Sequence, residues 1–299
     1  MTRFFLITSL LITSHLFSQK ATLSPYSFYG LGESLFSGTA DQRSMGGLVA
    51  HVDSIHHNVS SPASLAELKL VNYNIGANYS RRNFISDANS SKNETAGIDY
   101  MTVAIPTKYF GFGFGLLPKT AVGYRLSVSD EINGLSSNSN YEGNGGINQV
   151  FFSLGFSPVK NLGIGASVHY NFGSIFRVHT RQEDGIDLLS QLNNESELRG
   201  VEWNLSSYYK IHLSNRLQMQ LHYAYQPRAD LESLNARSIS TFTSLGEQRD
   251  TQEVNLSLEG LDETRSELPA KQTIGGGIGE PKKWYIGGQW SDTDGSIDN

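Results

Sequence analysis

Four neighbouring residues, His51, Asp53, His56 and His57, are the first candidates for chemistry, because imidazole and carboxylate are metal ligands and a short flexible segment lets them converge. A polar surface on an irregular segment explains them equally simply, and the expectation is no metal. Two glycine runs, Gly111-Gly113-Gly115 and Gly275–Gly277 with Gly279, invite a phosphate-loop reading. Neither has the Gly-x-Gly-x-x-Gly turn opening a helix, nor a Lys-Ser/Thr ending, so small residues facing the inside of a strand structure account for them better. No nucleophile elbow or His-Glu-x-x-His motif is present, and Asp184, Asp187 and Glu195 fall in predicted loops without evident pairing. The sequence therefore predicts no enzyme and no cofactor. A second set, Arg125, His169, Glu202, Lys210 and His222, falls on the polar faces of alternating stretches, where each either braces its neighbours or meets a ligand.

Those stretches are the elements that must position the candidates. Leu217, Met219, Leu221, Tyr223 and Tyr225 alternate with Gln218, Gln220, His222 and Ala224, and side chains two apart share one face of a strand. Leu162 to Gly173, Val71 to Ser80, Val201 to Ile211 and Phe110 to Leu116 repeat the pattern. The strands run about ten residues, the length that crosses a bilayer obliquely. Aromatics such as Tyr79, Tyr170, Phe172 and Tyr223 sit near strand ends like an interfacial girdle. One face is apolar and the other polar or glycine. The fold expected is all-β, a transmembrane antiparallel β-barrel, over residues 70–299.

Composition agrees. Charged residues are 17% of the 299, glycine is abundant at 30, and cysteine is absent, which removes disulfides, thiolate chemistry and an acylated anchor. A net charge of -6 gives no reason to expect nucleic acid. Residues 1–18, with Arg3 before the apolar run Phe4–Leu11, read as a signal peptide, too short to span a membrane as a helix. Localisation in the outer membrane of a Gram-negative cell follows, with the lipid bilayer as a partner.

Connections alternate in length. Pro106–Tyr109, Ser157–Asn161, His212–Arg216 and Glu280–Lys283 read as short turns, whereas Arg81–Gly97, Ser129–Gly146 and Glu183–Arg199 read as long polar loops, the asymmetry of outer-membrane barrels. About nine strands are clear, and up to about thirteen with the ambiguous stretch Pro227–Leu268. An odd set does not close such a barrel, and the polar end Ser291–Asn299 leads to the expectation that C-terminal strands are missing.

Residues 19–69, before the first strand, are not amphipathic. They contain Ser24-Pro25-Tyr26-Ser27-Phe28-Tyr29-Gly30-Leu31-Gly32, then Arg43-Ser44-Met45-Gly46-Gly47, then Asn58–Leu65 with Ser61-Pro62-Ala63. Further on come Leu117-Pro118-Lys119, Val122-Gly123-Tyr124 and Gly145–Val150. In their order these runs resemble the FadL-type family of hydrophobic-compound transporters, in its Bacteroidetes branch. The resemblance implies an N-terminal hatch inside a fourteen-stranded barrel, with Arg43, Met45, Gly46, Gly47, Ser61, Pro62 and Ala63 facing a hydrophobic small molecule. It also implies a lateral gate where Pro118 and Lys119 interrupt the third strand, a position that a simple bulge explains as well. The function expected is passive uptake of hydrophobic compounds. The alternative is a non-transport scaffold, as in PorV-like relatives that serve protein secretion and surface attachment, with other outer-membrane or secretion proteins as partners.

Overall fold

Period-two alternation becomes strand along most of the chain. The computed structural model describes residues 24–85, 90–132 and 135–294, so the signal-peptide reading of residues 1–18 lies outside the described residues. A two-residue strand β1 (Glu33–Ser34) and a short helix α1 (Ala40–Ser44) precede β2 (Asn72–Ile85), β3 (Ser90–Pro106), β4 (Phe110–Ile132), β5 (Leu135–Val159), β6 (Leu162–Glu183) and β7 (Leu188–His212). There follow β8 (Gln218–Gln226), β9 (Ala229–Thr243), β10 (Gln248–Glu253), β11 (Glu263–Leu268), β12 (Lys271–Glu280) and β13 (Trp284–Thr293). All pair antiparallel in one sheet of 13 strands.

Two of its rows are interrupted rather than ended. β8 and β9 both pair with β7, and β12 and β11 continue one register against them, from Lys271↔Gln226 to Leu268↔Ala229. Between those pairs lie Pro227 and Pro269, which have no N–H to give the ladder. Counting β8 with β9, and β10 and β11 with β12, the sheet has nine long rows. Its ends are β2 and β13, and among the described residues no ladder joins them. The all-β antiparallel expectation holds to that extent, and the closed barrel is not seen.

The four short turns fall where the sequence puts them, at 107–109, 160–161, 213–217 and 281–283. The three long polar loops do not. Strand continues through Arg81–Ile85 and Ser90–Gly97, through Ser129–Ile132 and Leu135–Gly146, and through Glu183 and Leu188–Arg199. These segments lack an apolar face, so periodicity could not announce them. Cross-strand polar pairs hold them instead: Ser127 donates to Asn140 at 2.6 Å and Ser129 to Asn138 at 2.7 Å.

The faces of the sheet invert the order of a soluble protein. Tyr73, Ile75, Phe114, Phe152, Trp203 and Ile286 are exposed, Tyr73 by 75% of its surface. On the other face Gln149, His169, Asn171, Asn204, Lys210 and His222 are buried. What buries them is the chain's own N-terminal segment. It bonds to β3 where Ala40 N–H donates to Tyr100, and to β13 where Val49 N–H donates to Gln289 at 2.7 Å. The segment thus bridges strands near both ends of the sheet and covers the polar face between them.

Candidate functional site

The segment is seated on a row of glycines. Gly111 pairs with Gly155, Gly155 with Gly165, and Gly165 with Ser206, across four adjacent strands. A Cβ at Gly111 would stand 2.2 Å from the Leu65 carbonyl oxygen, at Gly155 2.4 Å from that of Pro62, and at Gly165 2.4 Å from the Ala63 nitrogen. Bare backbone lets the 3-10 turn Pro62–Ala66 lie directly on the sheet. At the fourth position Ser206 Oγ accepts the Ala63 N–H at 2.8 Å. Beside it Ser61 is hydrogen-bonded to His222 Nε2 at 2.8 Å, and Asn204 donates to the Ser60 carbonyl at 3.0 Å.

Two charge clusters flank the seat. Lys210 pairs with Glu67 of the segment at 3.0 Å, and the Tyr208 hydroxyl donates to the same carboxylate at 3.2 Å. Across the inner face Lys119 pairs with Glu202 at 2.5 Å. Gln149 and Asn171 donate to the same Glu202 oxygen at 3.0 and 2.8 Å. Lys119, Gln149 and Glu202, with His169 and Asn204, line a cavity of about 580 Å³ together with Phe36 and Val59 of the segment.

The structure thus brings together His169, Glu202, Lys210, His222, Ser61, Pro62 and Ala63. Arg125 does not join them: it is exposed and pairs with Glu142 at 2.9 Å. The register shift at Pro118/Thr120 moves the alternation of β4 by one residue, so Tyr124 turns inward and Arg125 outward. Lys119, at that bulge, points to Glu202. Pairing of β4 with β3 ends at Leu116, and the edge beyond is taken by the segment, with Ser34 opposite Thr120 and Glu33 opposite Ala121. Arg43 lies on α1, with its guanidinium 3.1 Å from Asp99 and over the Phe36 ring. Met45 closes α1 half-exposed, and Gly46 and Gly47 turn the chain at φ 69° and 79°, values that favour glycine. Sequence reading did not assign Gln149, Asn171, Asn204, Gln220 and Glu67 to the site, although Gln149 stands in the run Gly145–Val150. Their only signal was alternation on strands or a place in the irregular segment.

The His51–His57 group does not converge. His51 packs against Tyr285, and His57 is buried near Phe151. His56 Nδ1 meets Asp53 at 2.5 Å. Burial works to raise the Asp53 pKa, but the ring and backbone of His56 and the Ile55 N–H hold it below the usual carboxylate range. Burial likewise opposes the charge of His56, yet Asp53 and Asp41 raise its pKa above the ordinary value. His57, with no such partner, is pushed down to about 4 by burial.

An antiparallel sheet with one exposed apolar face, and a polar face covered by a segment of its own chain, suits an outer-membrane strand protein. Residues 1–297 match the BamG family model, and the chain belongs to the BamG family, which points to the outer membrane of Gram-negative bacteria. No curated protein and no solved structure matches it. The family match corrects the resemblance to FadL-type transporters, and the uptake of hydrophobic compounds read from it falls with it. The runs that carried the resemblance serve packing here. Ser61-Pro62-Ala63 lies on the glycine row, and Gly145-Gly146 face neighbouring backbone within 2.3 Å of where a Cβ would stand.

Proposed function

We propose that this protein is a non-enzymatic outer-membrane component that associates with the BAM complex and acts as a scaffold within it. The chain-long match to the BamG family carries this reading. The segment of residues 24–70 serves as an internal plug of a barrel wall, and two features support that. It is bonded to strands from β2, where Arg82 pairs with Glu33, to β13, and its contacts are polar ones that resist sliding. The polar far halves of β4–β7 extend past the length a bilayer needs and offer a hydrated surface for other proteins. Affinity purification of the full-length protein from native outer membranes tests the reading. BAM components should co-purify in stoichiometric amount. Recovery of the protein alone, at normal abundance and from mild detergent, would overturn it.

A further inference from the structure

The four short turns at one end of the sheet each carry a basic residue: Lys108 between β3 and β4, Lys160 between β5 and β6, Arg216 between β7 and β8, and Lys282 between β12 and β13. None of these four is in an ion pair among the described residues, whereas the acids at this end are taken, Glu67 by Lys210 and Glu280 by Lys283. This rim is therefore an uncompensated band of positive charge at the level where strands leave the apolar zone.

Above it, on the outer apolar face, lies a groove of about 820 Å³ walled by Phe110, Leu154, Phe156, Ile164 and Leu205. Its origin is a side-chain mismatch. Ala166 stands in register between Leu154 and Leu205, so a methyl group sits where its neighbours carry isobutyl groups. The groove opens toward two of the basic turns. Tyr109 lines it, and Lys108 Nζ lies 5.2 Å from the Tyr109 ring centroid. Phe156 and Ile164 pair with each other just inside the turn that bears Lys160.

We propose that this groove is a binding site for an anionic phospholipid, with an acyl chain along Ala166 and the phosphate between Lys108 and Lys160. A dented apolar wall takes a flexible chain better than a flat one, because the chain gains contacts on three sides. Free ammonium groups at the mouth select a negative headgroup, and Lys108 and Lys160 stand on separate turns, so one phosphate can be approached from both sides. The inference rests on the outer-membrane reading above.

The full-length protein, reconstituted in vesicles of phosphatidylcholine with and without phosphatidylglycerol, is floated to score insertion and then examined by native mass spectrometry for retained lipid. Wild type should retain phosphatidylglycerol over phosphatidylcholine by about tenfold, and added salt should erode that preference. K108Q/K160Q should lose the preference while still inserting and still retaining lipid. Ala166→Phe, which fills the dent, should lose the retained lipid of either kind. Equal retention of the two lipids by wild type, or unchanged preference in K108Q/K160Q, overturns the site while leaving the membrane reading intact. Failure of wild type to float overturns both. If K108Q/K160Q instead keeps the preference for phosphatidylglycerol but, purified from native membranes, sheds a protein that accompanies wild type, the basic turns belong to a protein partner and the lipid site is wrong.

Discussion

The two halves of the long strands obey one alternation and are held by different forces. In the half near the short turns, one face is bulky and apolar, and the other is glycine, serine and amide packed on the N-terminal segment. In the far half, β4 keeps an apolar face of Val122, Tyr124 and Leu126 that packs with Ile147 and Ile175, whereas the ends of β4 and β5 beyond it are largely polar and are joined by side-chain bonds such as Ser129–Asn138. A 25-residue strand such as β5 spans roughly 80 Å at about 3.3 Å per residue, about two and a half times what crosses a bilayer. The near half is specified by what it packs against, and the far ends of the strands by their own ladder. Perturbing the first should disturb the whole chain, and perturbing the second only a hairpin.

The largest effect is expected at the glycine row. Gly165→Val and Gly155→Val drive a side chain into the Pro62–Ala63 backbone, which cannot yield without lifting the turn. A loss of about 3 kcal/mol or more, with the N-terminal segment cleaved by protease, should follow. Gly97→Ala, with open space at its Cβ in the far half of β3, should melt like wild type. Equal effects at the two sites would erase the distinction between the halves.

Acid comes next. His57 is held neutral with a pKa of about 4 against an ordinary 6.5. Its folded value is the lower one, so its contribution is complete above pH 6.5 and is lost as pH falls toward 4. The loss is on the order of 3 kcal/mol. Between those limits the segment should become protease-sensitive, and His57→Phe should flatten that profile. The Asp53–His56 pair has its own window: His56 contributes below its ordinary value and fades as pH rises through its raised one, while Asp53 fades only in strong acid. A His57→Phe variant with an unchanged acid profile would assign the transition elsewhere.

A smaller effect is expected at Lys119. Removing it leaves Glu202 with its two amide donors but no cation, in a partly buried setting, and Lys119→Met should cost about 2 kcal/mol by thermal melting. The double variant K119M/E202Q should recover about half of that, because no charge is stranded. Smallest of all, S127A/S129A should change global stability by less than about 1 kcal/mol and speed hydrogen exchange only beyond Tyr124 and Gly143.

The same contrast explains what could be read beforehand. The near halves and the four short turns were legible because burial of one face imposes period two, and a turn interrupts it. The far ends, Arg81–Gly97, Ser129–Gly146 and Glu183–Arg199, read as loops because solvent leaves their composition free, and Ser, Asn and Glu there look like linker. The inward set His169, Glu202, Lys210 and His222 followed from parity, whereas Arg125 was misplaced by one bulge at Pro118, which reverses parity without altering the sequence pattern on either side.

By itself the sequence determined the all-β character, the apolar outer face and the polar inner one, since these follow from side-chain period and polarity along each strand. It also marked residues 19–69 as something other than amphipathic strand. Only the tertiary structure decided that Gly111, Gly155 and Gly165 form one row and that Pro62–Ala66 rests on it. Only there do Lys119 and Glu202, 83 residues apart, meet. Register between strands is set by side chains distant in the chain, and no local pattern contains it.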